Sequence, residues 1–201
     1  DRFLLVSIFG GSIEEFVEVA KILAPVADGL ELNLSCPHAQ GYGMAMGQDP
    51  EMVKMIVSAV KAAVDVPVIP KLTPNVDRIE DIGLAALEAG ADGLCAINTV
   101  GPGYTESHGH PVLSNGVGGM SGSGVLPTAL KCIRALKTIT DKPIIGCGGL
   151  STADDCRAAI SAGASIIGVG SALSGMDTED MNAYFRQLQT CLLYTSDAAD
   201  E

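Results

Sequence analysis

Basic residues are scarce in this 201-residue chain: 12 Lys and Arg stand against 24 Asp and Glu, a net charge of −12. Neutralising a phosphate backbone needs clustered Lys and Arg, so a nucleic-acid groove is excluded. Long apolar runs are also missing, and none reaches the ~18 residues of a membrane helix. Cysteine is modest, with six residues and no CxxC pair. That leaves no disulfide or zinc framework and reads as a reduced, cytoplasmic protein. Tryptophan is absent and aromatics make up only 4%, yet 47% of the chain is apolar. This is enough to build a core, rules out disorder and fits a single domain.

The ends read differently from the middle. Asp1-Arg2 runs straight into the apolar stretch 3–9, without an initiator Met. At the other end, residues 191–201 (CLLYTSDAADE) follow a helical pattern over 181–190 and resemble a translated sequencing adapter. The division expected is therefore a folded unit over 1–190 and a non-native tail over 191–201, set aside from fold reasoning. A natural polar tail is the alternative.

Runs rich in Val, Ile and Leu occur at 3–9, 29–34, 66–72, 91–98, 142–148 and 164–170. Continuous apolar runs are what parallel strands buried on both faces require. Amphipathic helical segments fall between them at 13–23, 50–63, 78–89, 127–139 and 152–162. Asp49-Pro50 makes a good helix start, and Gly90 and Gly163 fit helix stops. Strand–helix alternation implies a parallel sheet, open or closed into a barrel. Placement favours the barrel, because polar and glycine-rich residues recur at the C-terminal ends of most strands, whereas an open sheet gathers its site at one crevice. The expected fold is an α/β TIM (β/α)8 barrel. At about 250 residues for eight units, this chain covers strands three to eight, with two more upstream. Residues 100–124 are glycine-rich without helical period and read as a long functional excursion over the barrel mouth. His108 and His110 lie within it and are expected to face solvent.

Several residues could carry chemistry. The last two strands end in Gly146-Cys147-Gly148-Gly149 and Gly168-Val169-Gly170-Ser171. Paired glycine turns let backbone N–H groups approach an anion, and barrels often bind phosphate after strands seven and eight. Gly118-Gly119-Met120-Ser121-Gly122 could add another anion nest; tight turns alone are the plainer reading. Lys71 sits inside the apolar strand 66–72, where a charge is costly without a partner; it could meet an anionic ligand, or snorkel outward. The run Asn33-Leu34-Ser35-Cys36-Pro37-His38 is the sharpest motif. Asn33 can donate and accept to a planar ligand. Cys36 can act as a base if its pKa is lowered, with His38 tuning it or bonding substrate; a buried filler and a turn histidine are the bland alternative. Asn98-Thr99 repeats the amide-plus-hydroxyl theme. Cys95, Cys132 and Cys156 read as buried fillers, while Cys147, at a strand end, needs separate weighing.

Taken together, the runs 31–38 (ELNLSCPH), 47–51 (GQDPE), 71–75 (KLTPN), 97–99 (INT), 111–115 (PVLSN), 118–122 (GGMSG) and 146–149 (GCGG) resemble the class 1 dihydroorotate dehydrogenases, most closely the NAD-linked subtype. The resemblance covers 1–190. It implies a TIM barrel with FMN at its C-terminal face, oxidising dihydroorotate to orotate in pyrimidine biosynthesis. Cys36 matches the catalytic base. Asn33, Ser35, His38, Asn98 and Thr99 match positions around the substrate. Lys71 matches the lysine beside the flavin, where a cation stabilises the reduced ring. Gly119, Gly148, Gly149, Gly170 and Ser171 match the flavin and phosphate cradle. Partners implied are an FAD and iron–sulfur electron-transfer subunit and a second copy of the chain. His38 departs from the Asn of many members, and Pro-His also occurs in dihydropyrimidine dehydrogenases, whose flavin domain acts on uracil and thymine. That domain is the alternative reading. A phosphate-binding aldolase or isomerase using Lys71 as a Schiff base is the alternative from another class.

Overall fold

The computed structural model describes residues 2–35 and 46–193. Six parallel strands make one sheet: β1 (Leu5–Ile8), β2 (Gly29–Asn33), β3 (Val68–Leu72), β4 (Leu94–Ala96), β9 (Ile144–Cys147) and β10 (Ile166–Gly168), adjacent in that order. The helices α1 (Ile13–Leu23), α2 (Pro50–Ala63), α3 (Ile79–Glu88), α4 (Leu126–Lys137), α5 (Ala153–Ala162) and α6 (Thr178–Leu193) follow the strands. Each packs against the next around one side of the sheet. This is the curled wall of a β/α barrel, six staves long among the described residues, with β1 and β10 at its edges.

Side chains alternate across each strand. Ile8, Leu30, Leu32, Val68, Leu72, Leu94, Ala96 and Ile144 point outward and join Phe16, Val53, Ile56, Val57, Ile133 and Leu136 of the helices in the main core. The opposite face carries a much smaller apolar group, Leu5, Ile69, Cys95, Ile145 and Cys147. The central strands are therefore buried on both faces, while β1 and β10 at the edges are partly exposed, and the inner face also holds the charged and polar groups described below.

Helix boundaries follow local chemistry. Ser12 caps α1 by accepting from the Glu15 N–H at 3.2 Å. Asp49 caps α2, with Pro50 in its first turn. α5 opens with a capping box between Thr152 and Asp155 and closes on Gly163, whose φ of 116° lies in the left-handed region. The last helix begins at Thr178 and runs to Leu193, longer than the 181–190 pattern.

The 100–124 excursion departs from its sequence reading. It contains two antiparallel ribbons, β5 (Val100–Tyr104) with β8 (Val117–Met120), and β6 (Glu106–Ser107) with β7 (His110–Pro111). Its glycines break the apolar alternation that marks a strand, and the β5–β8 register shifts between Val100 and Gly103. The tip is a two-residue turn in which His108 and Gly109 have φ of 52° and 79°, the geometry a tight hairpin needs. His108 and His110 are both exposed, as expected.

Candidate active site

The inner face and the C-terminal ends of the strands enclose a cavity of about 420 Å³. It is lined by Glu31, Lys71, Cys95 and Cys147 on the strands, by Asn98 and Thr99 after β4, and by Gly148, Gly149, Gly170 and Ser171 after β9 and β10. Lys71, the strand-end glycine turns and the Asn98-Thr99 pair are thus brought together. Gly119 is not among them: it lines a second cavity of about 380 Å³ with Ser35, Asn75 and Leu113. Thr99 borders both cavities, and a Cβ at Gly119 would collide with its side chain. Cys36 and His38 lie outside the described residues.

Register explains the arrangement. Ser7 stands opposite Glu31, Asn33 opposite Lys71, and Lys71 opposite Cys95. Glu31 is buried at 8% exposure. The Ser7 hydroxyl donates to its Oε1 at 2.9 Å, and Lys71 Nζ lies 3.6 Å from the same oxygen. Burial pulls the Lys71 amine down, but its interactions with Cys147 and Glu31, and more weakly with Cys95, outweigh it, so the amine lies above its ordinary value.

Cys147 Sγ lies 3.6 Å from Cys95 Sγ and 3.2 Å from the Ile97 carbonyl oxygen. Cys95 is pushed well above the usual thiol range by its bond to Cys147 and by burial. Cys147 lies below that range, because the Cys95 bond and the Lys71 charge together outweigh burial. The Cys147 thiol donates to the Ile97 carbonyl, the contact between the two sulfurs can run in either direction, and Cys95 holds its proton the more strongly of the two. The sequence reading of Cys95 as a buried filler holds for its burial but not for this contact. Cys132 and Cys156 are buried among helices.

The amides are fixed by one another. Asn33 Oδ1 accepts from Asn98 Nδ2 at 2.8 Å and from the Ser35 N–H at 3.2 Å. Both lone pairs of that oxygen are thereby used, so Asn33 can offer a ligand only its NH2 donors. Asn98 Oδ1 accepts from the Thr99 N–H at 2.8 Å. Ser35 Oγ is buried without a hydrogen-bond partner among the described residues.

Sequence reasoning missed Glu31 as a site residue, although a carboxylate two residues before Asn33 on an apolar strand must share its face. It also missed Asn75, whose Nδ2 donates to Thr73 Oγ1 and to the Thr99 carbonyl while its Oδ1 accepts from the Gly101 N–H. Asn75 pins the start of the excursion to the end of β3; only the fold reveals that neighbour.

A barrel wall with a lysine-bearing, glycine-rimmed cavity at the strand C-termini is the architecture of a cofactor- or phosphate-binding β/α barrel. The family model for dihydroorotate dehydrogenase matches residues 3–192, and the chain belongs to that family. It is 53% identical over 172 residues to the dihydroorotate dehydrogenase B (NAD(+)) catalytic subunit of Thermococcus kodakarensis, covering 85% of this chain and 57% of that protein. The same subunit of Methanothermobacter thermautotrophicus is 46% identical over 173 residues, covering 85% and 57%. The chain thus spans a little over half the length of these relatives, whose names carry the NAD-linked subtype expected from the motifs. Among solved structures, dihydroorotate dehydrogenase from Eimeria tenella in complex with ferulenol superposes with a TM-score of 0.75 at 23% identity, covering 94% of this chain and 55% of that one. The ligand-free form gives 0.76 over 93% and 57%. These two show the fold, and the barrel expected from strand-end chemistry is the one found.

Proposed function

We propose that this chain forms the flavin-facing wall of an FMN-dependent enzyme that oxidises dihydroorotate to orotate in pyrimidine biosynthesis. The observation that carries the reading is Lys71, charged and aimed into the cavity that Gly148, Gly149, Gly170 and Ser171 close from the other side. FMN fits these residues. The space around Gly170 is open within 4 Å of where a Cβ would stand, so a side chain there would enter the cavity. Gly149 packs so closely that a Cβ would lie 2.7 Å from the Leu126 nitrogen. The donors just ahead of α5 are already taken, since Asp155 accepts from the N–H groups of Ser151 and Thr152, and its own N–H donates to Thr152 Oγ1. A phosphate is therefore assigned to the Gly148–Gly149 and Gly170–Ser171 backbone rather than to that helix end.

When bound, FMN supplies the hydride acceptor. Lys71 would help hold the flavin, and its positive charge would stabilise the negative charge that the flavin gains on reduction. Asn33 lines neither cavity but is bonded to Asn98, which does. Its NH2 donors would suit the carbonyl and carboxylate oxygens of dihydroorotate, Asn98 and Thr99 would complete the polar rim, and Ser35 and Gly119 line the adjoining cavity. Cys36 is the proposed base and His38 a proposed substrate-binding residue: the Cys36 sulfur would take the proton from substrate C5, and the hydride with its two electrons would pass from C6 to bound FMN. The positive charge held on Lys71 disfavours the Schiff-base alternative, which needs a neutral amine. The relatives are named catalytic subunits, which supports a partner subunit for this chain. We further propose that this partner carries FAD and an iron–sulfur cluster for electron transfer, and that the chain works as a homodimer in the cytoplasm. No helix among the described residues is long and apolar enough to cross a membrane.

The test is to incubate the purified chain with FMN, remove free flavin by gel filtration and record the spectrum, then add dihydroorotate without oxygen. Retained yellow colour that dihydroorotate bleaches is the expected result. A colourless chain overturns the flavin reading. Bleaching by dihydrouracil but not dihydroorotate would move the assignment to the uracil-type alternative.

A further inference from the structure

We propose that Glu31 is a positioning residue: anchored by Ser7, its carboxylate holds the Lys71 ammonium at the cavity wall and limits how much positive charge the cavity offers a bound flavin. The inference rests on the flavin reading above and assigns a role to a residue that the sequence motifs left unassigned.

A carboxylate buried in an apolar strand is costly unless it is paired and hydrogen-bonded. Glu31 is 8% exposed, and the partners that meet this cost are the Ser7 hydroxyl at 2.9 Å and the Lys71 ammonium at 3.6 Å. The two contacts differ in kind. Ser7 stands directly opposite Glu31 in the β1–β2 register and donates at true hydrogen-bond length. Lys71 is one pleat further along, opposite Asn33, and reaches back diagonally to ion-pair distance. The carboxylate is thus fixed by Ser7, and the lysine is drawn to it without being locked. The groups facing the ammonium are Glu31 from β2, Cys95 from β4 and Cys147 from β9. Glu31 is the full carboxylate among them.

The electrostatic consequence has a definite sign. A flavin gains negative charge on reduction, and Lys71 attracts it. Glu31 shares the cavity wall with the ammonium at ion-pair distance and cancels part of that attraction. Replacing Glu31 by the isosteric Gln removes the opposing charge. Lys71 then loses its counter-ion and gives up its proton more readily, while at neutral pH the cavity presents a larger net positive charge.

Two measurements on the full chain test this, on wild type, Glu31→Gln and Ser7→Ala. The first needs no flavin: Lys71 acetylation by brief acetic anhydride pulses across pH, read by peptide mass spectrometry. In Glu31→Gln the profile moves to lower pH, so that at about pH 9 acetylation is faster by on the order of tenfold, the size expected when an opposite charge at this range is removed. Ser7→Ala shifts it in the same direction by less. An unchanged Lys71 profile in Glu31→Gln overturns the proposal. If circular dichroism shows that variant to be unfolded, an unchanged profile in Ser7→Ala overturns it instead. The second measurement is the ratio of affinities for reduced and oxidised FMN, which rises in Glu31→Gln by on the order of tenfold, making the bound flavin easier to reduce. A shifted Lys71 profile with no retained FMN supports the ion pair and sinks the flavin reading. A shifted profile with retained FMN and an unmoved ratio overturns the charge-limiting role of Glu31.

Discussion

Two thiols and an amine meet on the inner wall, and they cannot all behave as free groups. Cys95 holds its proton more strongly than Cys147 and lies in hydrogen-bond contact with it, while Lys71 supplies positive charge from the neighbouring strand. Cys147 therefore ionises at lower pH than an ordinary thiol, and it lines the cavity where a reagent can reach it. Alkylation of Cys147 by iodoacetamide, followed by peptide mapping, should reach half its maximal rate below the pH at which a model thiol does. Cys95→Ala removes the contact that lowers Cys147 most and should slow alkylation at neutral pH several-fold. Lys71→Met should do the same and should also weaken FMN retention. An alkylation profile unmoved by Cys95→Ala would contradict the shared-proton arrangement. At this scale the sequence was informative wherever a residue was out of place. Lys71 stood out as a charge in an apolar strand. Glu31 carried the same signal, but its meaning depends on Ser7 and Lys71, residues 24 and 40 positions away, which only strand register brings beside it. Cys147 was noticed as a strand-end thiol, yet nothing in its own neighbourhood names Cys95 as its partner.

Elements are joined by a few polar ties whose pH dependence can be worked out. Asp92, just before β4, accepts from Lys61 Nζ at 2.8 Å, in the last turn of α2, and from the Val68 N–H at 2.7 Å, at the start of β3. Burial alone would raise its carboxyl, but the Lys61 bond, the Val68 bond and the charge of Lys61 and Lys142 leave it below the ordinary value. A carboxylate lowered on folding contributes stability above its unfolded pKa of about 3.9, and loses it as pH falls through the folded value. Asp92→Asn should therefore destabilise the chain at neutral pH by about 1 kcal/mol, after allowing for solvent screening of a partly exposed pair. In urea titrations the gap between the two proteins should close as pH drops below about 4. A gap that persists undiminished in acid would refute the assignment. Regular elements were legible for the same reason that such ties are needed: strand and helix periods, Asp49-Pro50 and Gly163 all write themselves locally. The 100–124 ribbons were not legible. Their pairing rests on a turn at His108-Gly109 and on close glycine packing, neither of which leaves a hydrophobic period.

For the whole molecule, the governing fact is that six staves curl but do not close among the described residues. β1 and β10 are each paired on one side only, and apolar groups stand exposed beside them: Phe3 at 67% and Ile166 at 49%. A parallel sheet is stable when both faces and both edges are covered. Here the outer face is covered by helices, while the edges and part of the inner face meet water. An open edge with apolar side chains is a template for pairing with another chain. The 201-residue chain should therefore self-associate as its concentration rises, and light scattering should report a mass above 20.6 kDa. Ile166→Lys places a charge on the β10 edge strand, at a residue that also lines the inner cavity, and should lower that association while leaving the circular dichroism spectrum unchanged, because Ile166 is outside the outer core. Strand-end chemistry in the sequence pointed to a barrel rather than an open sheet, and that geometry makes the edges a liability: staves curved to close must bury their rims against something. A chain that stays monomeric at all concentrations, or an Ile166→Lys variant that associates as strongly as wild type, would show that the edges are protected in a way the six-strand wall does not provide.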